Sequence, residues 1–130
     1  MKLSESIEKI VEDESLALAG FYDRLFERYP VFKDYFSESS LQRQTAMLTM
    51  ALVGVKQYPV LNAPAHSYLK VLGTRHHDRG IPRELYPKFI EVLVETVADF
   101  HGDDWDESLG EQWTGALNLA VATMYEGIDD

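Results

Sequence analysis

Apolar residues recur at steps of three and four over nearly the whole chain. Nowhere do they alternate with polar residues between turn signals at hairpin spacing. That pattern argues against paired strands and predicts an all-α fold of six or so helices joined by short connections. From Ser4 to about Arg28 the spacing is helical, with Ile7, Ile10 and Val11 on one stripe. Ser4 is expected as N-cap, with Glu5 and Glu8 near the positive end of the helix dipole. A break is expected near Asp13 to Ser15. A second stripe follows, Leu18, Phe21, Tyr22, Leu25 and Phe26, and ends near Tyr29-Pro30, where the residue before proline is pushed out of the helical region.

Pro30 opens a short turn of helix to Phe36, and Ser37 to Ser40 reads as a polar connection with capping chemistry. The next helix carries Gln44, Leu48, Leu52 and Val55, with Gln44 as the polar residue of that stripe, and Tyr58-Pro59 closes it. Residues 60 to 76 read as a looser helical passage, interrupted at Asn62-Ala63-Pro64. Gly80-Ile81-Pro82 is a turn from which Pro82 starts the next helix, with Tyr86, Phe89, Ile90, Leu93, Val94 and Val97 as its apolar stripe to about Phe100-His101-Gly102. Asp103 to Ser108 forms a polar corner. The last helix carries Trp113, Leu117, Ala120, Val121 and Met124 and is expected to fray from Gly127 onward.

No repeat, low-complexity run or linker divides the chain, so residues 1–130 are expected to form one domain. A hydrophobic content of 45% with 12% aromatics argues against disorder. The absence of cysteine excludes thiolate metal sites, iron–sulfur clusters and thiol catalysis. A net charge of −10 opposes nucleic acid and anionic lipid as partners. With no signal-peptide pattern at the N-terminus and no apolar run near the roughly 18 residues of a membrane span, a cytoplasmic protein is expected.

The corner Leu72-Gly73-Thr74-Arg75-His76-His77 holds two adjacent imidazoles. His76 lies four residues after Leu72 and seven after Leu69, on the apolar face. His77 falls in line with Lys70 and Gly73, on a more polar one. Geometry therefore favours His76 as the inward histidine. His66 and His101 have no supporting pattern.

Other residues bear on that histidine. Phe21-Tyr22, Leu25-Phe26, Pro30 and Phe36 come in order, then Gln44 with Leu48 four residues on. Leu72-Gly73-x-Arg75-His76 follows, then Gly80-Ile81, Tyr86-Pro87 and Trp113. From about Leu18 to Met124 this ordered set resembles the globin family, in particular the bacterial single-domain haemoglobins related to the haem domain of flavohaemoglobins. The resemblance implies a globin fold of six to eight helices enclosing haem b in a three-over-three sandwich, here with a shortened first helix. It implies iron coordination by His76, a haem-stacking Phe36, and Leu48 and Leu72 against the ring. It also implies Arg75 toward a propionate, and a distal pair, Tyr22 and Gln44, donating hydrogen bonds to a bound gas. A buried phenol or amide left unpaired costs about 1–3 kcal/mol, so polar groups in an apolar pocket have a reason to be there.

Behind His76 the family places a tyrosine, here Tyr86, and a glutamate that together hydrogen-bond the proximal imidazole. Counting from Trp113, that glutamate falls near Ile128. Glu126, two residues off, is the acid weighed for it, and its support of His76 is left open. The expected function is reversible binding of dioxygen or other diatomic gases. Alternatives are a nitric-oxide dioxygenase, weak peroxidase activity, a gas sensor or a haem-free interaction module. With no flavin- or nicotinamide-binding sequence in the chain, a separate reductase is the expected electron source. A monomer or homodimer fits equally.

Overall fold

The computed structural model describes residues 1–13, 16–36 and 41–129. Six α-helices make up most of it: α1 (Leu3–Glu12), α2 (Leu16–Arg28), α3 (Leu41–Gly54), α4 (Ala63–Asp78), α5 (Leu85–His101) and α6 (Glu107–Asp129). Short 3-10 helices span Pro30–Tyr35 and Gly102–Asp104. No strand occurs among the described residues, as the periodicity requires.

Several boundaries differ from the sequence expectations, each for a local reason. Ser4 lies inside α1 rather than capping it. The N-cap is Lys2, whose amide donates to the Glu5 side chain. Asn62-Ala63-Pro64 starts a regular helix instead of interrupting a loose one. Asn62 accepts from the Ala65 amide at 2.9 Å, and Pro64 sits in the first turn, where no amide is needed. Pro82 precedes α5 by a turn, its carbonyl accepting from the Leu85 amide. Gly127 stays helical because α6 leans on α4 there. α1 ends at Glu12 as expected. Residues 14–15 and the connection Ser37 to Ser40 lie outside the described residues.

The apolar stripes meet in one core. Ile7 and Ile10 of α1, Phe21 and Leu25 of α2, Leu52 of α3, Leu69 of α4, Leu93 of α5, and Leu109 and Trp113 of α6 are essentially inaccessible. Each such aliphatic or aromatic side chain contributes about 1.5–3 kcal/mol by leaving water. The closest helix crossing is α4 on α6. A Cβ added to Gly73 would collide with the Met124 main chain, and one added to Gly127 with the Lys70 carbonyl. Two glycines thus let the backbones touch, and Thr74 ties them by donating to the Gly127 carbonyl at 2.9 Å. Residue 76 is therefore held by backbone contact one turn before it.

On the other side α2 packs on α5. Phe21 meets Phe89 edge to face at 4.9 Å, and Arg24 and Arg28 pair with Glu91, Glu95 and Asp99 along the exposed seam. The fork of Arg28 on Glu95 holds that carboxyl below its usual pKa.

A buried polar hub fastens α1. The Ser6 hydroxyl accepts from Trp113 Nε1 at 2.9 Å and lies 2.6 Å from His101 Nε2. Burial, then the nearby Lys9, hold the His101 pKa down, while Asp104 opposes them. His101, unassigned in the sequence, is thus a neutral hydrogen-bonding core residue.

Candidate functional site

α2, α3 and α4, with the inner faces of α5 and α6, enclose a cavity of about 520 Å³. That lies within the roughly 300–1,000 Å³ of small-molecule and cofactor sites. All eight residues singled out from the sequence line it: Tyr22, Phe36, Gln44, Leu48, Leu72, Arg75, His76 and Tyr86. His77 is exposed and outside the wall, whereas His76 is half-buried and part of it.

His76 enters from the last turn of α4. Its Nδ1 lies 3.2 Å from the Tyr86 hydroxyl of α5. Among the described residues no hydrogen bond engages the other ring nitrogen, Nε2. In the tautomer that leaves Nε2 its lone pair, Nδ1–H donates to the Tyr86 oxygen. Burial, reinforced by the Arg79 charge, lowers the His76 pKa to about 4, so the ring is neutral. Burial likewise pushes Tyr86 up to about 12, with Tyr125 adding to the shift and Arg83 opposing it, so the phenol keeps its proton.

Behind Tyr86 the ring of Tyr125 packs edge on at 5.4 Å. Arg83 lies over that ring at 4.4 Å and pairs with Asp129. Glu126 takes no part, its carboxylate pairing with His66 at 3.3 Å. The place behind Tyr86 is therefore filled by a second tyrosine and a cation.

Tyr22 is almost fully buried, and burial raises its pKa well above the usual phenol value. Its hydroxyl donates to the main-chain carbonyl of Gln44 at 3.2 Å. Phe36 packs edge on against both Tyr22 and Phe26, so the aromatic side of the wall is stiff. The remaining wall is mostly aliphatic and aromatic, and includes Phe89, Ile90, Leu117 and Met124.

The charged groups of the wall among the described residues are Arg43, Arg75, Arg79 and Asp78. Among the described residues the wall thus carries more guanidinium groups than carboxylates, in a chain whose net charge is −10. Such a wall suits a ligand with a broad apolar body and an anionic edge. Arg43 and Arg79 were not singled out from the sequence. The one signal for Arg79 was its place one helical turn after Arg75. These residues fit an iron porphyrin: a neutral imidazole nitrogen for the metal, an apolar wall for the ring, and cations for the propionates. Outside the cavity an open groove of about 680 Å³ runs along α5 and α6 and shares Tyr86, Ile90 and Val121 with the wall.

Among the described residues His76 is the one histidine of the cavity wall. The sequence profile of the globin family matches residues 19–124, and the chain belongs to that family, with its all-α globin fold. It is similar to the flavohemoprotein of Bacillus subtilis (strain 168), 21% identical over 132 aligned residues that cover 99% of this chain and 33% of that protein. It is also similar to leghemoglobin-1 of Lupinus luteus, 34% identical over 59 residues, which are 45% of this chain and 38% of that protein. The chain thus spans about a third of the flavohemoprotein's length.

Proposed function

We propose that this globin binds haem b through His76 and uses the loaded cavity to bind dioxygen or another diatomic gas reversibly. The observation that carries this reading is the coincidence, in one cavity wall, of a Tyr86-held imidazole, two polar side chains at Tyr22 and Gln44, and the guanidinium groups of Arg75 and Arg79. Haem supplies the iron to which a gas coordinates. The protein's part is the rest. Tyr86 fixes the ring orientation of His76, and Phe36, Leu48 and Leu72 exclude water. Arg75, with Arg79, would neutralise the propionates, while the Gln44 amide, and the Tyr22 hydroxyl once it turns from the Gln44 carbonyl, would donate hydrogen bonds to an acceptor atom in the cavity. A ligand that carries partial negative charge gains more from those donors than carbon monoxide does.

A second reading has its own support, the match of 99% of the chain to part of a flavohemoprotein. On it the same residues serve nitric-oxide dioxygenation, with electrons from a flavin-containing reductase. The two readings separate on reduction and turnover. Stable gas binding with no nitrate formed from nitric oxide in the presence of a reductase supports the first, and catalytic nitrate formation supports the second. Visible spectra of the purified protein test the haem reading itself. A haem-loaded protein shows a sharp near-violet band that shifts on reduction and on carbon monoxide addition. A protein that stays colourless after haem addition contradicts it.

A further inference from the structure

The first half of α3 and its second half are held by different means. Leu52 and the adjoining Val55 are about 1% exposed and anchor the C-terminal half in the core. In the N-terminal half Leu41, Gln42, Arg43 and Ala46 are exposed, and Gln44, Met47 and Leu48 only half-buried. Thr45 alone there is buried. Yet Arg43, Gln44, Met47 and Leu48 form part of the cavity wall.

Two phenols reach this half-helix from different neighbours. Tyr22 of α2 donates to the Gln44 carbonyl at 3.2 Å, and Tyr68 of α4 donates to the Met47 carbonyl at 3.2 Å. Helical carbonyls at these positions already have an amide four residues on to accept from. The phenols therefore use the second lone pair, and act as ties rather than as satisfaction of orphaned groups. The ties differ in one respect: Tyr22 lines the cavity, and Tyr68 does not.

A hydroxyl carries one proton, so Tyr22 donates either to Gln44 or to an acceptor in the cavity. We propose that residues 41–48 are a lid held by latches that include Tyr22 and Tyr68, and that a cavity ligand able to accept a hydrogen bond draws Tyr22 away and opens the first of these. Tyr68 then acts as a positioning residue that keeps α3 over the site while the other tie is released. The ligand step rests on the haem reading above, and the latch itself does not.

The test is backbone amide hydrogen exchange by mass spectrometry on the haem-loaded full chain. Peptides covering 41–48 are compared with 50–57 as internal control, with and without cyanide, whose terminal nitrogen accepts a hydrogen bond. In the wild-type protein cyanide speeds exchange of 41–48 relative to 50–57 by about two- to tenfold, the range of one ordinary hydrogen bond. Tyr22→Phe exchanges at that faster rate with or without cyanide. Tyr68→Phe raises the cyanide-free rate and keeps the cyanide increment.

A Tyr22→Phe protein with wild-type exchange in 41–48 overturns the proposal. So does a cyanide increment that persists in Tyr22→Phe, or a rise shared equally by 50–57. If the visible band does not respond to cyanide, the haem reading has failed instead. The cyanide-free rates of the two variants then decide the latch on their own.

Discussion

The Nδ1 atom of His76 stands 3.2 Å from the hydroxyl of Tyr86, and the two side chains come from different helices, α4 and α5. The orientation of the cavity imidazole is thus set from outside its own helix. Tyr86→Phe removes that tie while keeping the ring that packs on Tyr125. Loss of such a supporting hydrogen bond typically weakens metal binding about 10–100-fold. The expected outcome is haem transfer to an excess of an apo-globin acceptor that is faster by a factor in that range. Unchanged transfer would mean the contact does not hold the ligand.

Gly73→Ala is expected to destabilise the protein by about 1–3 kcal/mol, the usual cost of overpacking, because its Cβ meets the Met124 main chain. Gly20 in α2 is the control: a Cβ there meets nothing within 4 Å, and Gly20→Ala should stabilise by about 0.5–1 kcal/mol. Urea unfolding midpoints measure both. The Gly73 variant should also lose haem faster, since the helix it displaces carries His76.

His101 gives a pH dependence whose sign follows from its depressed pKa. The unfolded chain takes up a proton near the ordinary histidine value of 6.5, and the folded protein only at lower pH. The neutral buried ring therefore contributes stability that is fully present above about 6.5 and is lost as pH falls through the folded value. Between pH 7 and 5 the wild-type protein should lose more stability than His101→Gln, which keeps a partner for Ser6 but cannot charge. Parallel stability curves for the two proteins would contradict this.

Tyr22→Phe should release dioxygen about two- to tenfold faster, the range that a hydrogen bond of about 0.5–1.5 kcal/mol spans. Carbon monoxide release should change less. Flash photolysis and stopped-flow mixing measure both, and equal changes for the two gases would remove Tyr22 from the donor role.

Much of the cavity wall was legible in the sequence because it repeats at helical spacing. Leu69, Leu72 and His76 share a face by counting alone, and so do Gln44 and Leu48. Gly73 was legible only as a letter of a motif. A glycine carries no hydropathy, so its backbone contact with Met124 could not be seen from its neighbours on the polar side of the helix. Arg43 and Arg79 look like solvated charges until α3 and α4 are brought around one hollow. The start of α4 was misread because Asn62 and Pro64 serve equally as loop formers and as the cap and first turn of a helix. Ser6, His101 and Trp113 meet across about a hundred residues of chain, beyond the reach of any local pattern.

The central claim is that His76, and not its neighbour, holds the cofactor. The most direct measurement is the visible absorption spectrum of haem-reconstituted wild type, His76→Ala and His77→Ala, recorded ferric, ferrous and with carbon monoxide. The account predicts that the ligand-dependent near-violet band is lost or strongly altered in His76→Ala and unchanged in His77→Ala. It also predicts that added imidazole restores the band in His76→Ala by filling the vacated place. A His76→Ala protein with the wild-type spectrum in all three states would contradict it.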